Sequence, residues 1–424
     1  MKNLLLVSYF FPPHGGAGVL RPLETVRLLE PLGWRCSVVA GPAEGYWFND
    51  PALLERVPAS AEVRRTRAWS GPRLLRRGAA GPRRDEALIG RLRRVADWLP
   101  LPDVYCGWVP FAVHAAMELA RKADCILSTS PPESAHCVAG YVARRTGLPW
   151  VADFRDPWLQ GIYRCYPSRL QRAWQSSYEA RAVRHASLVI ANTPEAAEDF
   201  RARYPGLPQA KFQTVPNGFD PAEFDNLARP QTQPGVFRLV HAGGLTLERD
   251  PLPFIRAFAR VRQRLSGRLR LVLELVGPLA PKFLEEARGL GLGADLELTG
   301  WVGRRTALER LAAADCGVLL EAFRPGAELV TPLKLYDYLG AGLPVLAVAP
   351  SGAATRTLER LDAGLAVTAP DEDAIAAVLE TLIARVQHEG ESLRGRIRAA
   401  AAEFERARQV ERLAGLLGRI LPVG

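Results

Sequence analysis

Short apolar runs alternate along this chain with longer segments whose apolar positions recur at helical spacing. In the first half, the runs at 3–7, 36–40, 125–128, 150–153 and 188–191 read as buried strands, and 19–32, 111–122, 134–146 and 169–184 as helices. In the second half, strands are predicted at 237–241, 271–276, 296–299, 317–320 and 344–348, with helices at 252–265, 281–290, 306–314 and 332–339. Strand and helix alternating in this way predict an α/β chain: two doubly wound domains, each a parallel sheet with helices on both faces. Asn217-Gly218 is a turn signal, and the Pro- and Gln-containing stretch after it marks a domain boundary. The predicted division is an N-terminal domain over 1–218, a linker over 219–235, a C-terminal domain over 236–400 and a final amphipathic helix within 401–424.

The alternation breaks after 40 and resumes near 105. Residues 64–94 hold eleven arginines against Asp85 and Glu86, which accounts for nearly all of the net charge of +10. Trp69, Leu74, Leu75, Leu88, Ile89 and Leu92 are interleaved with them, a pattern that suits an acidic membrane surface. The plainer reading is a solvated basic face. No nucleic-acid-binding motif accompanies the charge, so no nucleic acid partner is expected. Six cysteines without Cys-x-x-Cys spacing read as reduced thiols rather than a disulfide or zinc framework. The apolar run from Leu4 to Val7 is shorter than a signal peptide's core, and no later run is long enough to span a bilayer. A cytoplasmic location is therefore expected, with the Arg-rich insertion (about 60–105) as the candidate membrane contact.

Candidate chemistry gathers where predicted strands end. Thr331 is expected to cap a helix whose first position is Pro332, since proline there loses no needed donor. Lys334 and Asp337, three residues apart, then share a face near that N-terminus. A cation, a carboxylate and helix N–H groups at one point suit a nucleoside diphosphate, with phosphate on the first and third and ribose hydroxyls on the second. A simple surface ion pair is the alternative. Loop 8–18, with Gly15, Gly16 and Gly18 ahead of a helix, offers backbone to a ligand but lacks the spacing of a dinucleotide site or P-loop. Gly243 and Gly244 join strand to helix in the same manner, on the way to Arg249. Two further strand ends carry Ser128 to His136 and Asp153-Phe154-Arg155-Asp156-Pro157-Trp158. There, two carboxylates beside an arginine either hold sugar hydroxyls and take a proton, or tie the loop down as a charge cluster. Asp371-Glu372-Asp373 has an Asp-x-Asp spacing, yet it opens a helix, where acids favour the dipole, and no metal site is predicted.

The stretch Pro332-Leu333-Lys334-Leu335-Tyr336-Asp337-Tyr338-Leu339-Gly340-Ala341-Gly342-Leu343-Pro344-Val345 resembles the signature of the family 4 glycosyltransferases, in the branch that writes it Pro-x-Lys-x-x-Glu-Tyr-x-x-x-Gly-x-Pro-Val. Asp337 stands for the glutamate, and the family's earlier glutamate falls on Leu329, one position from Glu328. The loop Phe11-Pro12-Pro13-His14-Gly15-Gly16, the sequences Ser130-Pro131-Pro132 and Asp153 to Trp158, and Pro216-Asn217-Gly218 resemble the same branch. The resemblance implies a GT-B arrangement, with two Rossmann-like domains facing a cleft, donor in the C-terminal one and acceptor in the N-terminal one. It implies transfer of a hexosyl or N-acetylhexosaminyl group from a nucleotide sugar, UDP- or GDP-linked, to a glycan or lipid-linked acceptor, as in bacterial polysaccharide biosynthesis, with retention of configuration. No cofactor and no essential metal are implied. Gly16, Gly18, Gly244, Arg249, Trp301, Glu328, Lys334 and Asp337 would bind the donor, Asp153, Asp156 and His136 would serve catalysis, and His14, Arg21 and Arg155 would bind the acceptor. A nucleotide-sugar epimerase or hydrolase, or a binding protein without catalysis, are the alternatives of the same architecture.

Overall fold

The computed structural model describes residues 1–44, 49–69, 101–161, 166, 168–225, 227, 234–245 and 249–421. The chain divides into two units, Met1–Pro216 with Ala407–Gly424, and Asn217–Arg406. Each is built on one parallel sheet, as the alternation predicts.

The first sheet has seven strands in the order β3-β2-β1-β4-β5-β6-β7. These are β1 (Lys2–Ser8), β2 (Trp34–Ala40), β3 (Glu62–Arg65), β4 (Cys125–Ser130), β5 (Trp150–Phe154), β6 (Leu188–Ala191) and β7 (Phe212–Thr214). Leu4, Leu6, Val38, Leu127, Val151 and Ile190 form one side of its core. Val410, Leu413, Leu416 and Leu417 of the last helix, Arg406–Ile420, join that cluster, which makes the C-terminal segment part of the first unit. Four residues of β3 fall inside the stretch expected to be irregular: they pair in parallel with β2, and Arg64 forms ion pairs with Glu62 and Glu118. The rest of the Arg-rich segment, beyond Trp69, lies outside the described residues.

The second sheet has six strands in the order β10-β9-β8-β11-β12-β13. They are β8 (Val236–Ala242), β9 (Arg270–Val276), β10 (Leu296–Leu298), β11 (Cys316–Leu320), β12 (Val345–Val348) and β13 (Gly364–Val367). Helix Leu252–Arg264 buries Leu252, Phe254, Ile255, Phe258 and Val261, a stripe at helical spacing that covers this sheet.

Several helices differ from expectation. Helices Pro194–Arg203 and Ala353–Arg360 were not predicted, because their apolar faces are short and largely alanine. A helix runs from Glu372 to Ala401, broken at Gly390, so the final helix begins at Arg406 rather than 401. The helix expected to be capped by Thr331 spans Leu333–Gly340, with Pro332 in the cap position and no side-chain cap. Asp371 does cap its helix, accepting from the Asp373 and Ala374 N–H groups, while Glu372 and Asp373 pair with Arg260.

Candidate active site

The second sheet reverses its strand order between β8 and β11, and ligands of open parallel sheets gather at the carboxyl ends of strands at such a point. Tyr338 ties the two strands together there. Its hydroxyl accepts the Ala242 N–H (2.9 Å) and donates to the Val318 carbonyl (3.0 Å), while its ring lies over Gly317. His241, fully buried near the end of β8, donates from Nδ1 to the same carbonyl at 2.9 Å. That bond fixes the tautomer, so Nε2 carries the lone pair and accepts from Lys334 Nζ at 3.3 Å. Burial, and then the Lys334 charge, hold His241 well below the usual imidazole range, so it is neutral.

Lys334 is the second residue of helix Leu333–Gly340. Burial pushes its pKa down to about 8; the Glu321 carboxylate opposes the shift and Arg249 adds to it. Glu321 follows β11 directly and lies 3.2 Å from Arg249 Nε and 3.9 Å from Lys334 Nζ. Its Oε1 is buried and accepts no hydrogen bond among the described residues. Two cations therefore share one carboxylate. The loop after β8 comes close to the lysine: Gly243 has φ +109°, and a β-carbon there would stand 3.5 Å from Lys334 Nζ. Gly244 packs on Pro278 beside it. Arg249 and Lys334, each singled out from the sequence, are thus brought to one place. Glu321 and His241 were missed, although each stands at a strand's carboxyl end, where the same rule would have looked.

Asp337 turns to different partners. Its two oxygens accept from Arg304, at 2.9 and 3.1 Å, and Arg304 also holds Glu223 at 2.7 Å. Burial works against the guanidinium charge, but the two carboxylates outweigh it and the Arg304 pKa is raised. Each Asp337 oxygen keeps acceptor capacity for a hydroxyl. Trp301, three residues before Arg304, is 59% exposed, so it is not a core residue. Glu328 accepts from the Gly326 N–H, and its backbone packs so closely on Gly352 that a β-carbon there would come within 2.4 Å.

The strand ends of the first sheet look different. Arg21 donates twice to Asp153, at 2.7 and 2.9 Å, and to the carbonyls of Val215 and Pro216, each at 2.9 Å. Thr129 donates a further bond to Asp153. Arg155 donates to the carbonyls of Ser130, Gly18 and Pro131, strapping the glycine loop to the proline loop. Gly16 precedes the first helix, Ala17–Leu29, in its cap position. His14 is buried and its ring nitrogen Nε2 contacts the Pro42 carbonyl at 2.8 Å. Of the residues expected at an acceptor, His14 is buried and Arg21 and Arg155 donate to the protein's own backbone, contacts that brace these loops. Asp156 is half-buried. His136 is more deeply enclosed. It lies 1% exposed among Phe154, Trp150 and Trp158, with Nδ1 on the Ser128 hydroxyl at 2.7 Å. Burial holds its pKa down to about 3, opposed by Asp153, so it is a very weak base at neutral pH.

The fold and this site define a class. Residues 23–223 match the family model described as Glycosyltransferase Family 4, and residues 237–385 the one described as Glycosyl transferases group 1. Both matches are to glycosyltransferase models, one in each half of the chain, and the fold is GT-B. A search of curated proteins finds no match. Among solved structures, HepE of Anabaena in complex with UDP is similar at 18% identity and a TM-score of 0.67, over 99% of this chain and 100% of that one. WaaG, a glycosyltransferase involved in lipopolysaccharide biosynthesis, is similar at 16% identity and a TM-score of 0.66, with the same coverage. A glycosyltransferase from Rickettsia africae is similar at 14% identity and a TM-score of 0.67, over 100% of this chain and 99% of that one. At these identities the likeness is one of fold. Among the described residues, no helix is long and apolar enough to cross a membrane.

Proposed function

We propose that this chain moves a hexosyl or N-acetylhexosaminyl group from a nucleotide sugar to a hydroxyl of a glycan or lipid-linked acceptor, with retention and without an essential metal. The observation that carries the reading is the pair of cations, Arg249 and Lys334, converging on one carboxylate at the switch point of the second sheet. In this reading the donor's diphosphate lies on those two side chains and the ribose donates to Asp337, which Arg304 positions. In the same reading the exposed Trp301 stacks on the base. As the bond from the sugar's C1 to the diphosphate breaks and a bond to the acceptor oxygen forms, negative charge gathers on the diphosphate. Arg249 and Lys334 stabilise it there, an electrostatic contribution of the kind worth about 3 kcal/mol per well-placed donor. No side chain is assigned as nucleophile or base. HepE, a protein of the same fold, has been crystallised with UDP-glucose, which is in keeping with a UDP-linked donor.

Calorimetric titration of UDP, GDP and ADP, with and without a divalent metal, tests the proposal on the wild type and on Asp337→Ala. The reading expects one nucleotide to bind without metal and to bind weakly in the variant. Well-folded protein that binds none of the three overturns it. Release of free sugar or of an epimer when no acceptor is present would replace the transferase with a hydrolase or epimerase.

A further inference from the structure

Glu321 is an odd residue to find between two phosphate-binding cations, because a carboxylate repels the ligand they attract. We infer that Glu321 is a built-in rival of the nucleotide's diphosphate, neutralising part of the charge of Arg249 and Lys334 in the empty site and weakening the grip on the departing nucleoside diphosphate. This rests on the nucleotide reading above and concerns the same site.

The geometry supports a rival rather than a permanent structural pair. A structural carboxylate is normally saturated, as Asp153 is by Arg21 and Thr129. Among the described residues, Glu321 instead leaves Oε1 without a hydrogen bond, and stands 3.9 Å from Lys334 Nζ, beyond hydrogen-bond range. Lys334 donates a hydrogen bond to His241, an acceptor that carries no charge, so the lysine's position does not depend on the carboxylate alone. Among the described residues, the charges that face Glu321 are Arg249 and Lys334, and His241 lies behind the lysine as a neutral ring. The carboxylate offsets part of the positive charge these two present and so weakens their pull on an anionic ligand. In water-poor surroundings a like charge a few ångströms from a phosphate is felt strongly. The consequence is functional: without Glu321 the product would leave more slowly, and with it turnover is freed from product inhibition.

The test is Glu321→Gln, which keeps the shape and removes the charge. Losing the carboxylate also lowers the Lys334 pKa, so the titration is run near pH 6, below the value of about 8 that the lysine has in the wild type. UDP, GDP and ADP are titrated into wild type and variant, and product inhibition by the nucleotide that binds is measured. The expected result is tighter nucleoside diphosphate binding on the order of tenfold, with a matching fall in the inhibition constant. Equal or weaker binding by a folded variant overturns the proposal, and so does a loss confined to the nucleotide sugar, which would make Glu321 an acceptor for sugar hydroxyls. Failure of the wild type to bind any nucleotide is a different result and strikes the nucleotide reading itself. Where Glu321→Gln does not fold, Glu321→Asp keeps the charge but draws it back from Lys334; affinity higher than wild type supports the proposal, and unchanged or lower affinity counts against it.

Discussion

The strand ends of the two sheets carry the same ingredients, glycines, arginines and carboxylates, and use them in opposite ways. In the first sheet, Arg21 and Asp153 satisfy each other one to one, and Thr129, Val215 and Pro216 take up most of their further hydrogen-bonding capacity. In the second, Arg249 and Lys334 share Glu321, one oxygen of which accepts no hydrogen bond among the described residues. Saturated networks hold a loop in place; unsaturated ones leave an energetic deficit that a ligand can fill. The difference separates bracing from binding more sharply than residue type does, since both sites contain an arginine beside an acid.

The comparison can be broken most severely at the braced site. Asp153→Ala removes the carboxylate that Arg21, 12% exposed, holds through two hydrogen bonds, and removing one partner of a buried pair costs about 3–5 kcal/mol. Thermal or urea unfolding is expected to register that loss, while nucleotide affinity of the folded protein stays at the wild-type value. A variant that unfolds normally but no longer turns over would return Asp153 to the catalytic list. The poised site should respond the other way. Lys334→Met removes a buried cation that sits uneasily, so stability is expected to hold or rise, and nucleoside diphosphate affinity to fall roughly 10- to 100-fold by calorimetry. Unchanged affinity would mean that the diphosphate does not rest on this lysine. Arg304→Ala falls between the two: it leaves Asp337 and Glu223 without the cation they share. Some destabilisation and about a tenfold loss of nucleotide affinity are expected, as one charged hydrogen-bond partner loses its alignment.

Much of this was legible in the sequence, and the limits have a physical cause. Buried parallel strands write themselves as apolar runs, so both sheets could be read directly; short edge elements such as Phe212–Thr214 and Gly364–Val367 carry too few residues to show a period. Lys334, Asp337, Arg249 and Trp301 were located by type and position. Their partners were not, because pairing is set by strand order and not by spacing. Arg21 meets Asp153 across 132 residues, Arg304 meets Glu223 across 81, and Arg249 reaches Glu321 because β8 and β11 are neighbours. Lys334 and Asp337 share a helix face in the sequence, yet one points to Glu321 and His241 and the other to Arg304. Likewise nothing in the neighbourhood of His136 in the sequence announces that Phe154, Trp150 and Trp158 will enclose it and strip it of basicity.

The finest test of the contrast is its pH dependence, because only the poised site holds a cation whose charge is lost within a usable range. Lys334 has its pKa lowered to about 8 by burial, against an ordinary 10.5. Between those values the unfolded chain keeps the proton and the folded one sheds it, so the unfolded state binds more protons and stability contributed at this residue rises with pH. Nucleotide binding needs the charged form, so affinity is expected to fall as pH passes 8, by up to about tenfold per unit, until the phosphate's own pull on the proton moves the midpoint upward. Binding and stability should thus move in opposite directions across one window. Lys334→Met should flatten both curves there, and Asp153→Ala should flatten neither. Parallel curves for wild type and Lys334→Met would assign the titration to some other group and remove the lysine's charge from the account of binding.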